Sequence, residues 1–181
     1  MAETNTGISV GRTNGDVHVR VAGRGTFQNG QPLRRYALDM INQGVRQFVV
    51  DLGPCEGMDS TFLGVLAGIG LQLREPATRG HLCLANVSPR NLESLQTLGL
   101  DRLFKLAPAT GAAPAVIPWQ WLPDPTSSQF RASDTKKDAA NVMLEAHDNL
   151  IRADNRNQTK FKDLTTILRA RTDKDADKKT S

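Results

Sequence analysis

Alternating apolar and polar residues open the chain and predict a β-hairpin at residues 8–22. Its turn is placed at Asn14-Gly15, because this dipeptide tolerates the positive φ angles of a tight turn. After the turn, valines at every second position alternate with polar residues, which gives the second strand one buried face and one solvated face. His18 lies on the polar face, so we expect it to point to solvent rather than to bind a ligand.

Helical patterns and continuous apolar runs follow in turn. Helices are predicted at 31–43, at 60–74 and from Ser88-Pro89 to Gly99. The apolar runs at 45–52 and 80–87 predict buried strands, covered by other elements on both faces. Because strands and helices alternate, the connections must be crossovers. The sequence therefore predicts an α/β (α+β) fold, in which helices pack against a mixed sheet of four to five strands.

The carboxyl-terminal part contains a connector, a helix and a tail. Residues 107–128 are rich in proline and alanine, which favours an extended connector with an edge strand at 116–122. Residues 134–152 have the spacing of an amphipathic helix. The polar residues 153–181 predict a helical or disordered tail, with disorder expected in the last ten residues. We therefore divide the chain into a domain at 1–152 and this tail.

Composition excludes several functions. The 181 residues include 23 Lys and Arg against 19 Asp and Glu, a net charge of only +4 that is spread evenly along the chain. This distribution does not favour nucleic-acid binding. Three histidines and two cysteines, all scattered, predict neither a metal site nor a disulfide framework, and no cofactor is expected. Cys55 and Cys83 are interpreted as reduced thiols, and without a leader or membrane-spanning run the protein is expected to be cytoplasmic.

The candidate chemistry lies where the helix at 60–74 begins. Asp59, Ser60 and Thr61 are all competent N-cap residues, and capping alone accounts for such residues in most proteins. The alternative is an exposed Ser60 hydroxyl at a helix N-terminus, where backbone N–H groups and the helix dipole favour an added phosphate. Gly64 and Gly68, one turn apart in the same helix, indicate the close approach of another backbone.

These elements resemble a known family. A hairpin, a helix, Phe48-Val-Val-Asp-Leu52, a loop and then Met58-Asp59-Ser60-Thr61-Phe62-Leu63-Gly64 is similar to the order in STAS domains, the family of anti-sigma factor antagonists. Residues 88–104 resemble the family's third helix and the segment after it, and the resemblance covers about residues 5–152. Phe62 stands where the family motif usually has glycine. Its side chain either packs inward or enlarges a docking surface.

The resemblance implies regulation by partner switching. Ser60 is the implied phosphoacceptor of an anti-sigma serine kinase with a histidine-kinase-like ATPase fold, and Thr61 is a secondary candidate. The unphosphorylated protein would bind the kinase and release its target, phosphorylation would break the complex, and a PP2C-type phosphatase would reset the switch. The implied partner-binding residues are Asp59, Ser60, Thr61, Phe62 and Gly64.

Other functions remain open at this point. The same fold serves as a non-phosphorylated scaffold subunit of a stress-sensing complex or of a lipid-transport ATPase. A hydrolase with Ser60 as nucleophile is disfavoured, because Gly-x-Ser-x-Gly is absent and the histidines lie on other elements, His147 on the distal helix. We therefore expect no enzyme and no membrane partner. The apolar residues of the tail allow a homodimer through the C-terminal helices.

Overall fold

A mixed β-sheet with helices packed on it forms the fold. The computed structural model describes residues 6–107, 117–123 and 136–177. The strands are β1 (Gly7–Thr13), β2 (Asp16–Gly25), β3 (Gln47–Asp51), β4 (Cys55–Met58), β5 (His81–Ala85), β6 (Lys105–Leu106) and β7 (Gln120–Trp121). The helices are α1 (Phe27–Asn42), α2 (Ser60–Arg74), α3 (Pro89–Thr97), α4 (Lys136–Ala153) and α5 (Asn157–Asp177), with a 3-10 helix at Leu100–Arg102. The strand order is β6-β5-β3-β2-β1-β7, and β4 pairs with β2.

The predicted fold class and hairpin are confirmed. β1 and β2 are antiparallel, and their turn has positive φ angles of 53° at Asn14 and 86° at Gly15. β2, β3, β5 and β6 run parallel, as the crossover order requires. Within the described residues the sheet has seven strands instead of four to five. The strands that were not predicted, β4 and β6, contain four and two residues, too few to show a period.

The prediction that β3 and β5 are covered on both faces is wrong. Phe48 and Val50 are buried on the inner face of β3, and Leu84 is buried in the same way on β5. Val49 and Cys83 face outward and are only partly covered. The apolar run therefore arises from one true core face and one half-exposed face that also carries apolar side chains.

His18 is buried, contrary to its predicted exposure, with 8% of its surface accessible. It lies opposite Gly11 in the hairpin, and the Ile117 side chain fills the place that a Cβ at Gly11 would take. Nearby, the guanidinium of Arg20 stacks on the Trp119 ring at 4.4 Å from its centroid. Part of the connector thus crosses the outer face of the hairpin and covers His18. Because burial disfavours the charged imidazolium, it lowers the pKa of His18.

Local signals set most helix starts correctly. α2 has the predicted bounds, and α3 begins as predicted, with the Ser88 hydroxyl accepting the Asn91 N–H at 3.3 Å. α1 begins at Phe27 instead of residue 31, so Pro32 lies inside the helix and not in its first turn. The earlier start is stabilised by Asn29, whose side-chain oxygen accepts the backbone N–H preceding the helix, that of Thr26, at 2.7 Å.

The described parts of the C-terminal region also bear on the predictions. β7 pairs with β1 as an edge strand, while the rest of the range 107–128 lies mostly outside the described residues. α4 agrees with the predicted amphipathic helix, except that residues 134–135 are not described. α5 extends to Asp177, so residues 172–177 are helical where disorder was expected. Among the described residues, none of the helices is long and apolar enough to cross a membrane.

Candidate functional site

Asp59 joins the N-termini of two helices. One carboxylate oxygen accepts the Phe62 N–H of α2 at 2.8 Å, and the other accepts the Phe27 N–H of α1 at 2.9 Å. The backbone N–H of Asp59 donates to the carbonyl of Gly25 at 2.9 Å. The expected capping role of Asp59 is confirmed, and its second hydrogen bond fixes where α2 begins relative to α1.

Ser60, the first residue of α2, is hydrogen-bonded to a histidine. Its Oγ lies 3.1 Å from Nε2 of His147 in α4, and Nδ1 of His147 lies 2.7 Å from the backbone carbonyl of Met143. A carbonyl only accepts, so Nδ1 carries the proton, and Nε2 of the neutral ring then accepts the Ser60 hydroxyl. His147 is 2% exposed, and its ring makes an edge-to-face contact with the Phe161 ring at a centroid distance of 4.7 Å.

This contact corrects the expectation that His147 lies away from Ser60. A neutral imidazole that accepts a hydroxyl proton makes the oxygen more nucleophilic, whether the electrophile is phosphorus or a carbonyl carbon. A hydrolytic triad also needs a carboxylate behind the histidine, whereas Nδ1 of His147 is taken by the carbonyl of Met143. The pair therefore supplies an activated hydroxyl without the third member of a triad.

Two glycines bring α4 against α2. Gly64 faces the backbone carbonyl of Ala146 so closely that a Cβ on Gly64 would overlap it, and Gly68 faces the side chain of Asn149 in the same way. The close backbone approach expected at these glycines is confirmed at Gly64, whereas at Gly68 the close neighbour is a side chain. His147 follows Ala146 directly, so this contact also delivers the imidazole to Ser60. The glycine spacing was the only sequence signal for the position of His147. It indicated that another segment packs on α2, but not which segment.

The remaining candidate residues are covered. Thr61 is 7% exposed, and Phe62 is fully buried. The Phe62 ring packs inward: a Cβ on Gly25 would lie 2.5 Å from the ring, and a Cβ on Gly30 would lie 3.4 Å from it.

Of the five residues implied as partner-binding, only Asp59 and Ser60 are partly exposed, while Gly64 is buried with the other two. Of these five residues, only Asp59 and Ser60 are therefore accessible to a partner. Their partner-binding role stays a prediction.

An open pocket of about 360 Å³ lies beside Ser60. Helices α2, α3 and α5 form its walls, with Leu63, Glu93, Ser94, Thr97, Leu98 and Phe161 as the other lining residues. The volume of the pocket is large enough for a group of phosphate size. Among the described residues, no cluster of His, Cys, Asp or Glu has the arrangement of a metal site.

The two cysteines show no sign of reactivity. Cys55 is buried, Cys83 is partly covered, and both are free thiols. Burial raises the pKa of each thiol, which keeps it protonated and weakly nucleophilic at neutral pH.

The STAS domain family model matches residues 7–113, more than half of the chain, and the protein belongs to this family. The expected family is thus confirmed. Helices α4 and α5, and with them His147, lie outside the matched residues. No curated protein matches the chain.

Three solved structures illustrate the shared fold. The unphosphorylated anti-sigma factor antagonist SpoIIAA of Bacillus is 23% identical, over 56% of this chain and 88% of its own, with a TM-score of 0.50. An anti-sigma factor antagonist from Mycobacterium paratuberculosis is 20% identical over 60% and 91%, also with a TM-score of 0.50. TM1081 of Thermotoga maritima is 20% identical over 54% and 78%, with a TM-score of 0.50. At these identities the similarity is one of fold.

Proposed function

We propose that this protein is an anti-sigma factor antagonist that acts by partner switching at Ser60. The unphosphorylated form binds an anti-sigma serine kinase, which then releases its target. Phosphorylation of Ser60 breaks this complex, and a PP2C-type phosphatase restores it. The observation that carries the proposal is the position of the Ser60 hydroxyl, which lies at the N-terminus of α2 in a STAS fold and beside an open pocket.

The surroundings of Ser60 suit an added phosphate better than those of Thr61. The N-terminal amides and dipole of α2 stabilise a nearby anion by about 0.3–1 kcal/mol. Thr61, the secondary candidate, is buried and offers no such space. A phosphate on Ser60 brings nearly two negative charges to the surface that the kinase must cover. Burying these charges against a partner weakens the complex.

The proposal is tested by phosphorylation with a candidate anti-sigma kinase and ATP, followed by intact-mass and phosphopeptide measurements. We expect one phosphate on the wild type, none on Ser60→Ala, and one on the matched control Thr61→Val. Equal phosphorylation of Ser60→Ala and wild type refutes Ser60 as the acceptor. In a binding assay, Ser60→Asp should bind the kinase more weakly than the wild type, and equal affinity contradicts the switch.

The hydrogen bond between Ser60 and His147 favours a second candidate function, hydrolysis of an ester by the Ser60 hydroxyl. In this case the wild type turns over p-nitrophenyl acetate steadily, and both Ser60→Ala and His147→Gln abolish the turnover. Equal rates for the wild type and Ser60→Ala remove this candidate.

A further inference from the structure

The imidazole of His147 lies in a position to take part in phosphorylation of Ser60. We propose that His147 accepts the Ser60 proton during phosphoryl transfer and then, as an imidazolium, holds the phosphate. This role rests on the proposed function, in which Ser60 is the phosphoacceptor. It adds to the site a residue from outside the part of the chain that the STAS family model matches.

The ring of His147 is fixed in the orientation that this role needs. Its Nδ1–H donates to the Met143 carbonyl at 2.7 Å, so its lone pair is on Nε2, which lies 3.1 Å from Oγ of Ser60. This distance is within the hydrogen-bond reach required of a general base. The edge-to-face contact with Phe161 and the burial of His147 to 2% exposure hold the ring in place.

The transfer step balances with ATP as the only co-reactant. Oγ of Ser60 attacks the γ-phosphorus of ATP, and the Oγ–P bond forms while the bond from that phosphorus to the β-phosphate oxygen breaks. ADP leaves with the electron pair of that bond. The hydroxyl proton passes to Nε2 of His147. The products are a phosphoserine dianion and an imidazolium that are in direct contact.

The other charged groups around the site make His147 the favourable neighbour of the phosphate. Glu93 of α3 is the charged residue in the lining of the pocket, and Asp59 precedes Ser60, so both repel a dianion. On α4, Asp148 is paired with Arg169 of α5 at 2.9 Å. The Lys160 ammonium of α5 donates to the Thr97 carbonyl at 2.7 Å. A protonated His147 places a positive charge next to Ser60 itself.

The test uses the full chain made with phosphoserine incorporated at position 60, which requires no kinase. The ³¹P NMR titration of this protein should have a midpoint about one pH unit or more below that of the same protein carrying His147→Gln, because a neighbouring cation favours the dianion. The matched control His81→Gln, on β5, should leave the midpoint unchanged. Equal midpoints in the wild type and His147→Gln overturn the proposal.

A second measurement needs no substitution of the histidine. In ¹⁵N NMR spectra at neutral pH, both ring nitrogens of His147 should be protonated in the phosphorylated chain. A neutral ring beside the phosphate dianion refutes the ion pair, whatever the variant does to folding.

The proton-transfer part is tested with a kinase that phosphorylates the wild type. His147→Gln should slow phosphorylation on the order of 100-fold at saturating kinase, while His81→Gln should not. An unchanged rate in His147→Gln refutes the role of His147 and leaves Ser60 as the acceptor. If the kinase phosphorylates a residue other than Ser60, the proposed function is refuted. The spectra of the phosphoserine protein still report on the ion pair in that case.

Discussion

The Phe62 ring occupies space that Gly25 leaves free, and this predicts that Phe62 and Gly25 are energetically coupled. A Cβ on Gly25 would lie 2.5 Å from Cδ1 and 2.7 Å from Cε1 of the ring. Gly25 does not have a positive φ, so alanine is compatible with its backbone, and the three atoms nearest to the new Cβ all belong to the ring. Gly25→Ala should therefore be unfavourable only when Phe62 is present.

The expected changes in the free energy of unfolding follow from the burial of Phe62 and from its overlap with a Cβ on Gly25. Phe62 is fully buried, so Phe62→Ala should destabilise the protein by about 3–5 kcal/mol. Gly25→Ala should cost about 1–3 kcal/mol in the wild type, because the new methyl group overpacks the core. In the Phe62→Ala background it should cost nothing, or stabilise by about 0.4–1 kcal/mol through the unfolded state. The coupling energy of the double-mutant cycle is then about 2 kcal/mol.

The double-mutant cycle is measured as the free energies of urea unfolding of the wild type, both single variants and the double variant. Gly57→Ala serves as the control glycine, because a Cβ there makes only ordinary contacts, at 3.9 Å, with Arg24 and Arg90. Its effect should be the same with and without the Phe62 ring. If Gly25→Ala has the same cost in both backgrounds, the ring does not pack on Gly25, and the explanation for a phenylalanine in this motif fails. Phe62→Leu replaces Phe62→Ala if the larger truncation prevents folding.

Two further predictions concern carboxylates. Asp59→Ala should lower the free energy of unfolding by about 1–2 kcal/mol, because both capping hydrogen bonds are lost. Asp59→Asn should lower it by less, because the amide oxygen still accepts the Phe62 N–H and only the hydrogen bond from the Phe27 N–H is lost. Equal losses of the two variants in urea unfolding contradict the double cap. Hydrogen bonds from Arg156 lower the pKa of Asp154 from 3.8 to about 2, so its stabilising effect is complete above about pH 4 and is lost as the pH falls toward 2. Asp154→Asn should therefore be less stable than the wild type at pH 6, with a difference that narrows below about pH 4, and a constant difference across this range contradicts the reasoning.

Local structure was largely predictable from the sequence. The hairpin, α2 and α3 were placed correctly because each has a signal within a few residues, such as Asn14-Gly15 for the turn and Ser88 with Pro89 for the start of α3. The predicted start of α1 is wrong, because Pro32 suits a first turn while the actual start depends on Asn29 and on Asp59, which is distant in sequence.

Contacts between distant segments were not predictable. The alternation around His18 gave the correct face of the strand, but the connector that covers this face lies almost a hundred residues away. The position of Ser60 at a helix start makes its hydroxyl a candidate, and the resemblance to STAS domains implies that it is the phosphoacceptor. Its partner His147 is 87 residues further along the chain, on a helix whose own pattern indicates only that one face is apolar. Helical periodicity shows that a face is buried and does not show against what.

The packing of α4 on α2 matters for anyone who defines the boundaries of a recombinant fragment. A fragment that ends at residue 113, where the family match ends, retains Ser60 and loses the histidine that contacts it. It also uncovers the side of α2 that lies against Ala146, which is buried in the full chain. Such an apolar face favours aggregation. The minimal unit for functional work on this protein therefore includes α4.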